Sequence, residues 1–338
     1  MIATEQQRNT IALSNAPPIP GLTFRHFRGE ADYPHMLAVL NASKLADGIE
    51  RSDTLAALRH YYTHLTNCDP YKDMLFAEVD GEVIAYSRTT WWKETEGDRI
   101  YMLFGFMLGE WRRKGIGSAM LHWNERRLRE IAAGHPEDGP RYLASFAMDS
   151  EQNTHALLRS KNYKPVRFGY DMVRDLAAPI DPAPMPAGLE VRPSNEAHFR
   201  AIWEADQEAF LDHWGHSPGA EKDYERFFSD PLNDPALWKV AWDGDQVAGM
   251  VLNFVNPEEN AEYERLRGYT ENISVRRPWR RRGLAKSLLT QSLTMFRDMG
   301  YTEAALGVDA ENRTGALRLY KGVGFRVTKE STDYRKPM

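Results

Sequence analysis

Arg280-Arg281-Arg282-Gly283-Leu284-Ala285-Lys286 reads as a basic turn that opens a helix, and a second copy, Arg112-Arg113-Lys114-Gly115-Ile116-Gly117, stands 168 residues earlier. A strand pattern precedes each turn, over 268–275 and 100–108, and a helical pattern follows, over 283–299 and 115–131. In the later copy the apolar stripe runs Leu284, Leu288, Ser292, Met295, Phe296 and Met299, with Gly300 at the usual C-terminal stop. Glycine lets a backbone come close to a ligand. A helix start offers unpaired N–H donors and a positive dipole end, both of which favour an anion. Arg281, Arg282 and Lys286 add charge, so the turn suits a diphosphate. Neither copy has the GxxxxGK[ST] spacing of a P-loop or the three-glycine dinucleotide fingerprint. A single copy also reads as a plain helix start with a solvated basic turn. Recurrence in the same strand–turn–helix setting favours the ligand.

The repetition extends beyond the turn. Leu22-Thr23-Phe24-Arg25 matches Leu189-Glu190-Val191-Arg192 at an offset of 167, and Asp80-Gly81-Glu82-Val83-Ile84-Ala85 matches Asp243-Gly244-Asp245-Gln246-Val247-Ala248 at 163. Three matches in one order at nearly one offset mark an internal repeat of two whole domains. The length of 338 residues agrees, because single cores stop growing at ~250–300 residues. The segment 175–188 holds Pro179, Pro182, Pro184 and Pro186, which interrupt regular structure and read as a stiff linker. The expected organisation is an arm over 1–20, loosely ordered, a domain over 21–174, the linker over 175–188, and a domain over 189–338. In the second domain the patterns predict strands over 189–192, 238–242, 246–254, 268–275, 302–308 and 325–334, and helices over 195–210, 224–228, 283–299 and 312–321. The first domain repeats that order, with strands over 142–148 and 163–173 around a helix over 153–160.

Composition narrows the class. A 42% apolar and 27% charged chain is ordinary for a soluble globular protein. No apolar run approaches the ~20 residues of a membrane span, and the first twenty residues lack the basic start and apolar core of a secretory leader. Neither membrane association nor nucleic-acid binding is expected from a net charge of −5. The five arginines within 276–282 form a local basic patch without an aromatic stacking platform beside it. One cysteine, Cys68, excludes an internal disulfide and a multi-cysteine metal site, and fits a reducing, cytoplasmic compartment.

The [QR]-x-x-G-x-[GA] turn after a strand resembles the acyl-CoA-binding motif of the GNAT superfamily of N-acetyltransferases. The second half adds Asp309-Ala310-Glu311-Asn312-Arg313-Thr314-Gly315-Ala316-Leu317-Arg318-Leu319-Tyr320 and then Gly324-Phe325, similar to the family's next helix and its closing Gly-Phe. The resemblance covers nearly all of 189–335; over 22–174 it is clear at the turn and weaker after it. A tandem pair of this kind is similar to the two-domain, mycothiol synthase-like members. The resemblance implies an α/β (α+β) protein of two tandem GNAT folds, each a mixed, mostly antiparallel twisted sheet flanked by helices. It implies an acyltransferase, in which a primary amine attacks acetyl-CoA directly in a ternary complex and no metal takes part. The acceptor is not readable.

Residue by residue, the resemblance gives the backbone of Ile273, Ser274 and Val275 to the pantetheine arm and the thioester carbonyl. Arg280, Arg281, Arg282, Gly283, Leu284, Ala285 and Lys286 take the pyrophosphate, with Arg112, Arg113, Gly115 and Gly117 as their first-domain counterparts. Tyr320 protonates the leaving thiolate, which a phenol of pKa ~10 can do at neutral pH. Asn312 contacts the coenzyme or caps a helix. Glu271, four residues before Val275 on one strand face, is a general base or a surface carboxylate. Within Asp212-His213-Trp214-Gly215-His216, His213 and Trp214 are candidates for the acceptor wall, although a loop histidine is more often structural. The first domain departs from the pattern: either alignment of its helix puts Ser160 or Leu158 where Tyr320 stands, so a degenerate, supporting domain is expected. A non-catalytic acyl-CoA sensor is the alternative. The expected partners are acetyl-CoA and a small amine, and the expected assembly is a monomer acting as its own pseudo-dimer, or a homodimer.

Overall fold

The computed structural model describes residues 10–312 and 315–338. The chain divides into two compact units, one of residues 1–166 with 332–338 and the other of 167–331. These limits do not follow the proline-rich segment. The strands show why: most of the strand after residue 163 belongs to the second unit, and the last seven residues of the chain belong to the first.

In the first unit the strands are β1 (Leu22–Arg25), β2 (Met74–Val79), β3 (Glu82–Lys93), β4 (Arg99–Met107) and β5 (Arg141–Met148). The first four pair antiparallel in sequence order, and β4 pairs parallel with β5. Helices α1 (Tyr33–Asp47), α2 (Leu55–Thr63) and α3 (Pro70–Asp73) precede β2, α4 (Ile116–Ala133) links β4 to β5, and α5 (Gln152–Ser160) follows β5. Strand alternation sends Phe76 and Tyr86 to the α1 side, where Met36, Val39 and Leu40 cover them, and sends Leu75 and Ala85 to Ile116, Ala119 and Met120 of α4. Tyr334 closes this unit: its ring is fully buried beside Leu128, Leu143 and Leu158, and its hydroxyl lies 2.8 Å from His155 Nδ1.

The second unit repeats the plan. Its strands are β6 (Lys164–Asp175, of which 167–175 lie here), β7 (Glu190–Arg192), β8 (Lys239–Asp243), β9 (Gln246–Val255), β10 (Arg267–Val275) and β11 (Glu303–Asp309). Strands β7 to β10 pair antiparallel, β10 pairs parallel with β11, and β11 pairs antiparallel with β6 over Glu303↔Asp175 to Asp309↔Gly169. The helices are α6 (Phe199–Phe210), α7 (Glu221–Ser229), α8 (Pro257–Glu262), α9 (Leu284–Asp298) and α10 (Ala316–Gly322), followed by β12 (Arg326–Pro337). The stripe on α9 is buried at Leu284, Leu288, Ser292 and Phe296, whereas Met299 lies past the helix end and is half-exposed. Gly300, with φ +90°, gives its N–H to Arg297 O, the left-handed stop the sequence signals. Both units are mixed, mostly antiparallel sheets flanked by helices, as the sequence implies.

Two segments differ from their sequence reading. Residues 1–9 of the expected arm lie outside the described residues, but 10–20 are not loose. Ile11 N–H donates to Phe24 O at 2.7 Å, and Ile11, Leu13 and Ile19 pack on the first unit's core. The alternation of apolar and small residues there was hidden by the prolines. The helix expected over 312–321 starts at Ala316, after Gly315 at φ +82°.

Candidate active site

Each sheet opens on the same side of its parallel pair. In the second unit β10 and β11 pair only from Arg267↔Glu303 to Tyr269↔Ala305, so the rest of both strands diverges. In the first unit β4 and β5 pair only from Arg99↔Arg141 to Met102↔Ala144. Unpaired strand edges in such a split are free to bond an extended ligand.

The basic turns lie at the mouths of these splits and share a backbone. Arg113 and Arg281 both have φ +61°, and Gly115 and Gly283 follow at +90° and +87°. A non-glycine residue in the left-handed region is costly and clusters at functional sites. Consecutive N–H groups arranged this way form an anion-binding concavity. Both helices begin on these glycines without any side-chain cap, so the N–H groups of Leu284, Ala285 and Lys286, and of their counterparts Ile116, Gly117 and Ser118, have no intrahelical partner. Around Gly283 there is open space for a side chain, whereas Pro17 stands 3.3 Å from where a Gly115 Cβ would lie.

The arginines divide by role. Arg280 donates to Val275 O (2.9 Å), Ala209 O (3.0 Å) and Asp212 (2.6 Å), and Arg112 donates to Met107 O, Ser43 and Asp47 (2.5 and 2.8 Å). Each side chain therefore braces its turn against the helix before it instead of facing a ligand. Arg277 also pairs with Asp212, holding that carboxyl well below the usual range together with Arg280, and Arg276 pairs with Glu208. Arg282 reaches Ala187 O at 3.0 Å. Arg281 and Lys286 are exposed, and they bring the charge of the turn to its surface. The sequence analysis does not single out Asp47 and Asp212, yet an aspartate stands at or just past the end of the same helix in both halves, at nearly the offset of the turns.

Glu271, Ile273, Ser274 and Val275 lie along the split edge of β10. The register of β10 against β9 jumps between Glu271 and Ser274, and Asn272 takes φ +45°, so the strand carries a bulge there. Asp206 on α6 sits behind it, 3.3 Å from Asn272 Nδ2 and 3.4 Å from Ser274 Oγ, with its carboxyl pushed up to about 7 by burial. Glu271 crosses the split to accept the N–H of Gly307 at 3.2 Å, and burial pushes its carboxyl up to about 7. The Tyr320 ring packs against Leu289, Leu306 and Phe325, and burial together with the nearby Glu271 charge pushes its phenol well above its ordinary value. Asn312 lies in the turn after β11, its N–H on Asp309 O at 3.1 Å, ahead of the Gly315 helix start. Arg313 and Thr314 of the same motif lie outside the described residues.

His213 packs on the Phe210 ring at 4.3 Å, and its imidazole is lowered from its ordinary value by burial. Trp214 lies under the Arg167 guanidinium at 5.3 Å, while Arg167 grips Asp309 through two bonds of 2.8 and 2.7 Å. The histidine loop thus stands against the end of β11, beside the split. Cys68 belongs to the first unit, where burial pushes its thiol up to about 12 and keeps it protonated. Among the described residues, no group of three or more His, Cys, Asp or Glu is arranged to hold a metal ion, and no helix is long and apolar enough to cross a membrane.

The first unit's split is a cavity of about 600 Å³ lined by Arg112, Arg113, Gly115, Gly117, Asn153 and neighbours. Its β4 runs in unbroken register with β3 from Met107 to Arg99, with no counterpart of the bulge at Asn272. Ser160 and Leu158 occupy α5, so neither alignment of the helix supplies a phenol.

A split parallel pair with a basic anion-binding turn at its mouth, built twice, defines a coenzyme A-dependent acyltransferase. The acetyltransferase (GNAT) family model matches residues 42–136 and 199–325, and the chain belongs to that family. It is similar to the mycothiol acetyltransferase of Geodermatophilus obscurus, with 28% identity over 88% of this chain and 91% of the relative, and to that of Salinispora tropica, with 25% identity over 88% and 91%. Among solved structures, a GCN5-related N-acetyltransferase from Sphaerobacter thermophilus superposes with a TM-score of 0.69 and 26% identity over 94% of this chain and 95% of its own. A tandem GNAT protein from the clavulanic acid biosynthesis pathway shares the fold, at a TM-score of 0.63 and 13% identity over 94% and 98%. The chain is an acetyl-CoA-dependent acetyltransferase acting on an amine.

Proposed function

We propose that the second unit carries the transfer and that the first supports it. The observation that carries this reading is that the Tyr320 ring packs in one cluster with Ile273 of β10 and Leu306 of β11, within reach of the Glu271 charge and beside a bulge that the first unit lacks. In this reading the turn from Arg281 to Lys286 holds the pyrophosphate on its backbone N–H groups, with Arg280 as the brace. The free edge of Ile273, Ser274 and Val275 pairs with the pantetheine arm and offers an N–H to the thioester oxygen as charge grows there.

Glu271 takes a proton from the incoming ammonium, directly or through a water. A carboxyl near 7 is matched to that task at neutral pH. The free amine attacks the carbonyl carbon, the carbon–sulfur bond breaks, Tyr320 gives its proton to the departing thiolate, and the extra proton on the newly acylated nitrogen returns to the Tyr320 phenolate. Its raised phenol is protonated whenever the site is at work. Holding both reactants side by side supplies much of the acceleration. His213 and Trp214 wall the acceptor side, and Asn312 touches the coenzyme. In this reading the reaction runs in the cytoplasm, on a monomer acting as its own pseudo-dimer or on a homodimer. The relatives named mycothiol acetyltransferase put mycothiol-type amines first among acceptors to assay.

Tyr320→Phe tests the acid. Turnover is expected to fall ~100-fold, within the usual range for general acid catalysis, with the KM for acetyl-CoA unchanged. Unchanged turnover removes Tyr320 from the reaction.

A further inference from the structure

Asp206 on α6 is 6% exposed, and its two oxygens take different neighbours on β10: Oδ2 accepts from Asn272 Nδ2 at 3.3 Å and Oδ1 from Ser274 Oγ at 3.4 Å. Those residues flank Ile273, so one carboxyl holds the strand on both sides of that residue. Among the described residues no cation pairs with Asp206, and burial pushes its carboxyl up to about 7. A buried carboxyl of this kind costs free energy that an apolar side chain in the same place would not. Its presence therefore calls for a role beyond packing.

The stretch it holds pairs with neither neighbouring strand. The register with β9 runs to Glu271↔Leu252 and resumes at Ser274↔Met250, leaving out Asn272 and Ile273, and pairing with β11 ends at Tyr269↔Ala305. Asn272 sits at φ +45°, a left-handed conformation that persists only where its surroundings enforce it. Asp206 supplies that enforcement from the α6 side, while Ile273 packs in one cluster with Tyr320.

The first unit is built otherwise. The offset of 168 that relates the turns puts Phe104 and Phe106 where Asn272 and Ser274 stand, and the offset of 165 between Asp47 and Asp212 puts Asn41 where Asp206 stands. There β4 keeps unbroken register with β3, and Asn41 Oδ1 is buried with no bonding partner among the described residues. Carboxyl, polar pair and bulge thus occur together in one unit and are missing together from the other.

We propose that Asp206 is a positioning residue for acyl transfer: by holding Asn272 and Ser274 it fixes the bulge and so aims the backbone N–H groups around Ile273 at the thioester oxygen. This rests on the reading of β10 as the edge that receives the thioester. The turn holds the pyrophosphate independently, so a loosened bulge costs polarisation of the carbonyl and not binding of acetyl-CoA.

The test is isotope-edited infrared spectroscopy of the full chain with acetyl-CoA carrying carbon-13 at the thioester carbonyl, with affinity followed by calorimetry. In the natural chain the bound carbonyl stretch should lie below that of free acetyl-CoA, because hydrogen bonds to the oxygen weaken the double bond. Asp206→Leu should lose at least about half of that shift while the Kd changes less than about threefold. Asp206→Asn can still accept from Asn272 and donate to the Ser274 oxygen, so it should keep the shift. Asn272→Gly suits the positive φ and removes one contact, so it should lose part of the shift and serves should the Leu variant fold poorly. A shift that survives both Asp206→Leu and Asn272→Gly, or one lost as fully in Asp206→Asn as in Asp206→Leu, overturns the proposal and leaves the reading of β10 standing. No shift in the natural chain overturns that reading, and the proposal with it.

Discussion

Replacing Glu271 by Gln separates the two consequences of its buried carboxyl. The group is shifted from 4.5 to about 7 because desolvation outweighs the single N–H it accepts from Gly307. A folded value above the unfolded one means that the folded state favours the protonated form. The stabilising contribution is complete below the unfolded value and is lost as pH rises through about 7. Two and a half pH units correspond to roughly 3 kcal/mol. Glutamine keeps the shape without the charge, so the variant should match the natural chain at low pH and exceed its stability by up to roughly 3 kcal/mol above neutrality. Native-state hydrogen exchange of the β11 amides reads this locally and avoids assuming that two units unfold as one. Activity should move the other way. As a base, Glu271 works when ionised, so kcat/KM should fall with pH below about 7 along a slope that the Gln variant lacks, at a level ~100-fold lower. An unchanged acidic limb in the variant, with a stability difference flat across pH, refutes both the base assignment and the buried-charge argument.

Other outcomes follow from the turns. Gly283→Val forces a branched side chain into φ +87° and into the open space before the helix start, so kcat/KM for acetyl-CoA should drop about tenfold or more, while Gly115→Val should change it only a few-fold. The reverse order in steady-state kinetics would assign the chemistry to the first unit. Asp212→Ala releases Arg277 and Arg280 from their shared carboxylate, so KM for acetyl-CoA should rise several-fold with kcat largely kept; an unaltered KM means that the brace does not shape the turn.

Much of this arrangement was legible because the signals are local and repeated. The paired turns, the Asp80-Gly81 and Asp243-Gly244 hairpins and the stripe on α9 all obey short-range rules of backbone and periodicity. The bulge at Asn272 was not legible, because it depends on how β9 meets β10 and not on the residues of β10 alone. Nor was the role of Arg280: the sequence shows a cation next to glycine, while only the fold shows Asp212 and two carbonyls already holding it. The membership of residues 332–338 in the first unit was also invisible, since it links positions such as His155 and Tyr334 that lie far apart in the chain.

The most direct test is a crystal structure of the chain grown with CoA. The thiol sulfur should lie within about 3.5 Å of the Tyr320 hydroxyl, with the pyrophosphate on the N–H groups that follow Arg280. A coenzyme seated only in the first unit's cavity, with the second unit's turn bare, would contradict the assignment of the chemistry to Glu271 and Tyr320.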